Sequence, residues 1–414
     1  MYPLSVCMFP SPVLSFTNAT LPDSNATTLR VVGERIAAIG EPPRARDAII
    51  DCNGDWLLPG LINAHDHLEL NNFPRLKWRE RYDSAREWIA DFQPRFTTDP
   101  ALIATLSVPL DDRLLIGGLK NLLSGVTTVA HHNPLHRALR QSRILRHAQD
   151  ASFPVRVAQR YGWAHSLGVD GDAKVVASYR RTPKDWPWII HLAEGVDDAA
   201  ARELSRLDAL GCLHANTVIV HGVGLSDNDR TLLRERGAGL IWCPSSNLFM
   251  LGRTADMRAL VVHPSTGSGC VALGSDSRLS GERDLLDELR VARDTGQMND
   301  ETLLAMVTTN AARLLRLTNV GALRVGALAD LLVMSERSLT HHASRLTFHA
   351  SRQDVRLVLL AGRARLAAPA YAHVFDATRT RAERITVDGC EKLMERSLVA
   401  RLRQCRIHEN GVDL

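Results

Sequence analysis

The chain predicts an α/β fold: a (β/α)8 barrel of the TIM type carrying a small β-sandwich built from both chain ends. Three observations predict it. Through the middle of the chain, strand-length apolar runs alternate with helical periodicity, as a barrel of parallel strands requires. Those runs end in polar or ionisable residues, and the carboxyl ends of barrel strands are where such folds place their chemistry. Short β segments punctuated by glycine lie on both sides of this middle region. The expected division is residues 1–56 for the first part of the sandwich, 57–318 for the barrel, 319–366 for the second part of the sandwich, and 367–414 for a helical C-terminal tail.

Composition narrows the class. With 414 residues, 45% hydrophobic and 23% charged, the chain can bury a large core and exceeds most single domains. Lys+Arg 50 against Asp+Glu 46 leaves a formal charge of only +4, and no long basic run is present, so neither a nucleic acid nor an anionic membrane is implied as a partner. The start, MYPLSVCMFPSPVLSF, is apolar but broken by prolines and lacks a basic leader, which argues against a signal peptide or a span; a cytoplasmic location is expected. Seven cysteines without CxxC spacing argue against a disulfide framework and a cysteine zinc site, and the sequons at Asn18 and Asn25 then read as chance matches.

In chain order, residues 28–40 (TLRVVGERIAAIG) read as a hairpin around Gly33, and 48–51 as a further strand. The stretch 56–68, WLLPGLINAHDHL, is an apolar run ending in two histidines. On a strand, side chains two apart face the same way, so His65 and His67 project together and Asp66 points to the other face. Residues 114–123 have helical spacing and lead at Gly125 into VTTVA, which ends in His131 and His132. Residues 135–148 read as a basic helix and 154–161 (PVRVAQRY) as the next strand. Between Tyr161 and Trp188 there is a clear helix near 173–181 but no convincing fourth strand, GWAHSLG being the nearest approach. The runs 188–194 (WIIHLAE), 217–221 (TVIVH), 239–243 (GLIWC) and 270–276 (CVALGSD) continue the series. Residues 320–334 and 355–363 supply the later sandwich strands. HHASRLTFHASR, an internal echo of His-Ala-Ser-Arg, reads as an exposed inserted loop. The tail segment CEKLMERSLVARLRQC has helical periodicity and suits a helix packed on the sandwich or on another subunit of a homo-oligomer.

A lone strand-end histidine is more often a hydrogen-bonded core residue than a ligand. The constellation is harder to dismiss: His65, His67, His191 and His221, followed by Asp276, all close apolar strands in barrel order. PGLINAHDHL resembles the first barrel strand of the amidohydrolase superfamily, and the segments at 320–334 and 355–363 resemble its closing "G.l..G..ADLvv" and "v..v...G" segments, so the likeness spans residues 28–363. HLAE, with Glu194 three residues after His191, resembles the "H..E" of cytosine, guanine and adenosine-type deaminases and of triazine hydrolases. Two-metal members add a bridging carboxylated lysine at the fourth strand. Here Lys174 falls on a helix and Lys184 in TPKDWP, so the resemblance is to the branch with one metal.

That resemblance implies His65, His67, His191 and Asp276 as ligands of one divalent metal, zinc first and iron second, leaving an open position for water. It implies His221 as a polarising group that is not a ligand, Asp276 as acceptor of one water proton, and Glu194 as the shuttle that carries the other to the leaving nitrogen. The implied function is hydrolysis of carbon–nitrogen bonds other than peptide bonds in a small-molecule substrate, foremost deamination of a heterocycle. The alternative is hydrolysis of a cyclic amide of the imidazolone or hydantoin kind, or of a triazine. A non-catalytic binding relative would have lost ligands, and none is missing. Candidates for substrate contact are Gln159, Arg160, Tyr161 and Trp163, His131 and His132, Asn71, Asn72 and Arg75, and Ser245, Ser246 and Asn247 in CPSSNLF, which resembles "CP.SN" of guanine and adenosine-type deaminases. On a strand, Glu194 would face away from His191, so it is expected where strand gives way to loop.

Overall fold

In the computed structural model, residues 11–22, 24–140, 153–258, 260, 271–342 and 345–414 are described, the side chains of 340–348 excepted. Parallel strands run in barrel order: Leu61–Asp66, Val126–His131, Arg156–Val157, Gly162–Ser166, Trp188–Leu192, Thr217–His221, Gly239–Trp242 and Val271–Leu273. The first three form one hydrogen-bonded sheet and the last five another. A parallel bridge between Asp66 and Asp276, with the Asp276 amide donating to the His65 carbonyl at 3.1 Å, joins the last strand back to the first. At that seam Gly274 is required, because a Cβ there would lie 2.6 Å from the His65 Cβ.

The fourth strand missing from the sequence pattern is Gly162–Ser166, paired in parallel with Trp188–Leu192. Only four residues separate it from Arg156–Val157. A parallel neighbour needs a crossover of a dozen or more residues. The two pieces are therefore successive parts of one extended run, which leaves the Val126–His131 strand and joins Trp188–Leu192. Helical periodicity resumes only with Leu167–Arg181. The strand expected at 154–161 is thus shorter and continues further than its pattern suggested. Of the basic helix expected at 135–148, the described part holds a single 3-10 turn, Arg137–Leu139; the remainder lies outside the described residues.

Fully buried strands explain the near-continuous apolar runs, since both faces of a parallel strand are covered. Inward, Ile62, Ala64, Ala130, Ile189, Val218, Val220, Ile241 and Ala272 fill the barrel; outward, Leu61, Val129, Ile190, Ile219 and Leu240 pack under helices such as Leu110–Leu123 and Leu285–Asp294.

Two further sheets flank the barrel. Val13–Thr17, Leu29–Val32, Arg35–Ile39 and Ala48–Asp51 form one. The other is mostly from the C-terminal part of the chain but ends on Trp56–Pro59, antiparallel to Leu331–Met334. Leu14, Phe16, Val31 and Ile50 of the first share a core with Leu57, Leu331, Val333 and Leu357 of the second. The tail departs from the helix expected over 390–405. Cys390–Glu395 is a strand, antiparallel to Ala382–Val387, and only Arg396–Leu402 is helical. The cause is Asp388-Gly389, both at positive φ, the dipeptide that closes a two-residue hairpin and outweighs the helical spacing that follows. Within the internal echo, Leu339–His342 and Arg345–Phe348 form a small hairpin. Among the described residues, no helix is long and apolar enough to cross a membrane.

Candidate metal centre

At the carboxyl end of the barrel, each strand delivers its last residues to one point. Nε2 of His191 lies 3.2 Å from Nε2 of His65 and 3.4 Å from Nε2 of His67. Asp276 Oδ1 is 3.8 Å from His65 Nε2 and 3.6 Å from His67 Nε2. A tetrahedron of ligands about 2.0–2.1 Å from a central ion has edges of roughly 3.3–3.4 Å. The four separations, 3.2–3.8 Å, come close to such edges, and the chemistry of the donors fits zinc or another divalent transition metal.

Electrostatics agrees with that fit. Burial pushes the pKa of His65 and His191 well below the usual imidazole value, and that of His67 to about 4, so the rings present lone pairs rather than protons. Burial alone would raise the Asp276 carboxyl; the facing His221 and His67 and hydrogen bonds from Ser246 and Ser277 outweigh it and hold the group below its ordinary value. The Ser246 hydroxyl donates to Oδ2 at 2.7 Å and the Ser277 amide to Oδ1 at 2.7 Å. Neutral imidazoles and an ionised carboxylate are the protonation states a cation requires.

Glu194 reaches the site through backbone strain. The strand ends at Leu192, and Ala193 adopts φ 53°, which turns the chain so that Glu194 comes back over His191. The Ala193 amide is held by Glu203 at 2.7 Å, and the Glu194 carbonyl accepts from the Ala85 amide at 2.9 Å. His221 and Asp276 also have positive φ, 76° and 55°. Each such residue costs about 1–2 kcal/mol, and strain of this kind gathers where side-chain aim matters. Glu194 Oε1 lies 3.4 Å from His221 Nε2, and burial, then Asp276 and Glu203, raise its pKa well above the ordinary carboxylate value. His221 Nδ1 lies 2.8 Å from the Asn247 amide oxygen, which leaves its Nε2 facing the site.

A cavity of about 260 Å³ opens over these groups. His67, His165, His191, Glu194, His221 and Asp276 line its floor, and Leu70, Trp88, Ile89, Phe92, Phe96 and Met250 are among its walls. The substrate-contact candidates fare differently. Gln159 spends its amide on the Leu139 and Val157 carbonyls, and Arg160 pairs with exposed Asp185 at 2.7 Å. Tyr161 is packed inside the barrel with its hydroxyl on the His131 carbonyl, Trp163 stands edge-on to His132, and Asn247 holds His221. None of the five lines the cavity: Gln159, Arg160 and Tyr161 lie in the short connection between Arg156–Val157 and Gly162–Ser166, Trp163 lies in the latter strand, and Asn247 lies behind His221. Asn71 donates to Asp66, Asn72 to the Arg113 carbonyl, and Arg75 pairs with Glu282. Ser245 bonds Glu288 and Ser246 holds Asp276. Sequence reasoning missed His165 and the aromatic wall; Trp88, Phe92 and Phe96, four apart, carried a helical signal that could have found the wall.

The chain is similar to known proteins over most of its length. Residues 186–365 match the amidohydrolase family. Two 5-methylthioadenosine/S-adenosylhomocysteine deaminases are similar over most of their length. The one from Syntrophobacter fumaroxidans is 26% identical over 80% of this chain and 86% of its own, and the one from Halobacterium salinarum 27% over 83% and 88%. Among solved structures, an adenosine deaminase from Xanthomonas campestris with bound zinc superposes with a TM-score of 0.66 at 20% identity, covering 90% of this chain and 98% of that one. Zinc-complexed atrazine chlorohydrolase from Arthrobacter aurescens TC1 gives 0.66 at 18%, covering 85% and 94%. Residues 186–365 therefore carry an amidohydrolase family domain, and the fold is of the TIM-barrel type.

Proposed function

We propose that the protein is a mononuclear metal hydrolase that deaminates a heterocyclic compound. The observation that carries this reading is the four-atom cage of His65, His67, His191 and Asp276, with a protonatable carboxyl, Glu194, beside it. Lys174 lies in the helix Leu167–Arg181 and Lys184 in the turn after it, which supports one metal and not two. When bound, the metal, zinc before iron, supplies Lewis-acid activation of water.

The remaining steps belong to the side chains. Glu194 takes a proton from the attacking water and delivers it to the leaving nitrogen, so the C–N bond breaks to ammonia while a C–O bond forms. A carboxyl raised by burial is suited to hold that proton between the two transfers. His221, its Nδ1–H fixed on Asn247, turns Nε2 toward the attacked centre, and Asp276 accepts the second water proton, which passes to the ring nitrogen as the carbonyl forms. The aromatic wall suits a planar ring with an apolar substituent, and no lysine or arginine lines the cavity among the described residues, which favours an uncharged one. The names of the similar deaminases support the same class.

The test is ammonia release by zinc-loaded protein from a panel of aminated purines, pyrimidines, pterins and triazines, beside cyclic amides and ureides. Ammonia with an intact ring is the expected result. Ring-opened product without ammonia would overturn the deaminase reading, and chloride from a chlorotriazine would favour the triazine alternative that the solved structures bring into view.

A further inference from the structure

Four imidazoles crowd the centre, yet the cage uses three. The fourth, His132, sits behind His65. Its Nε2 lies 3.0 Å from the Ala164 carbonyl oxygen, a group with no proton to give, so that nitrogen carries the hydrogen. Its Nδ1 is then a bare acceptor, 3.3 Å from Nδ1 of His65. The contact is attractive only if His65 carries its hydrogen on Nδ1. That leaves the lone pair of His65 on Nε2, the atom that faces His191 and Asp276. His191 reaches the same state directly, its Nδ1 lying 2.9 Å from the His165 carbonyl. Both carbonyls come from Gly162–Ser166, the strand the sequence pattern left faint.

We infer that His132 is a positioning residue: it holds the tautomer and ring plane of His65 so that Nε2 meets the metal, and it is not itself a ligand. This rests on the mononuclear-cage reading above. Without the acceptor, His65 is free to carry its hydrogen on Nε2 and block the cage. Partners of this kind are typically worth about 10–100-fold in metal affinity.

Two near-isosteric substitutions separate the roles. His132→Asn places its oxygen where Nδ1 stood and keeps an acceptor for His65; His132→Gln places its amide NH2 at the Nε2 position, on the Ala164 carbonyl, and leaves no acceptor facing His65. Zinc dissociation constants would be measured against a chromophoric chelator for wild type, His132→Asn, His132→Gln and His132→Phe. Imidazole scattering in X-ray absorption would count the ligands of the zinc-saturated forms. The expected result is a loss of affinity of about 10–100-fold for Gln and Phe, recovery to within a few-fold for Asn, and three imidazoles throughout. Equal affinity of wild type and Gln overturns the inference, as does a count of four imidazoles in wild type falling to three in the variants. A wild type that binds no zinc would instead remove the cage reading itself.

Discussion

The floor and the mouth of the cavity are built in opposite ways. Floor residues His65, His67, His191 and Asp276 close strands of the barrel, are buried, and are tied to one another across the sheet. The mouth is carried by the excursion between Leu61–Asp66 and Leu110–Leu123, chiefly by Ala85–Phe92 and the turn Gln93–Thr97. Its ties to the barrel include the Ala85 amide on the Glu194 carbonyl, the Val196 amide on the Asp83 carbonyl at 2.7 Å, and an exposed Arg86–Asp197 pair. Trp88 and Phe92 stack with ring centres 5.0 Å apart. The floor cannot shift without breaking strand pairing, while the mouth can change its side chains without touching the sheet. Chemistry and substrate choice thus rest on separable supports.

The largest effect should come from the floor. Asp276→Ala removes the only carboxylate of the cage, and metal content should fall from about one per chain toward zero, with activity lost alongside it. His221→Ala should retain the metal and still lose turnover, since His221 Nε2 faces Glu194 and lies outside the cage. Elemental analysis of the two variants distinguishes ligand from non-ligand. Full activity that required two equivalents of metal would break the mononuclear account.

A smaller effect is expected at the mouth. Trp88→Ala deletes a half-buried wall residue whose indole NH donates to the Leu76 carbonyl at 2.9 Å. Losing that apolar contact should raise KM by about 10–100-fold with kcat and metal content little changed, the pattern of an interaction made equally in ground and transition states. A kcat loss as large as that of the floor variants would show that floor and mouth do not separate.

An effect on stability and not on turnover lies under the floor. Glu288 is buried and accepts from the Ser245 amide at 3.0 Å and from its hydroxyl, next to the serine that holds Asp276. Burial raises its pKa from 4.5 to about 8. Between those values the native protein keeps a proton that the unfolded chain releases, so stability falls as pH rises through the window, by at most about 1.4 kcal/mol per pH unit. Glu288→Gln should flatten that slope. Denaturant midpoints of the metal-free protein at pH 5 and pH 8 would measure it.

The same contrast governs what the sequence made legible. The strand-end residues of the floor are readable because a parallel strand buried on both faces must be apolar until it reaches the site, so WIIH, TVIVH and CVALGSD announce where they stop. Glu194 was readable as well, because the pattern demanded a break after His191, and Ala193 supplies it. The wall was missed because Trp88, Phe92 and Phe96 look like an ordinary amphipathic stripe until tertiary contacts show which side faces the cavity. His132 gave no sign of its role, since an orienting hydrogen bond to His65 depends on ring placement and not on spacing. The run 156–166 misled in the other direction: one stretch serves two barrel positions, and a pattern of strand then helix cannot express that.

Glu194→Gln tests the central claim most directly, because it keeps the shape of the side chain and removes only the proton carrier. Zinc per chain and single-turnover ammonia release should be measured on the same preparation. The account predicts unchanged zinc and a rate reduced by about 10²- to 10⁴-fold. Wild-type turnover in the variant would contradict it, and so would loss of the metal, which would make Glu194 a ligand and leave the proton without its carrier.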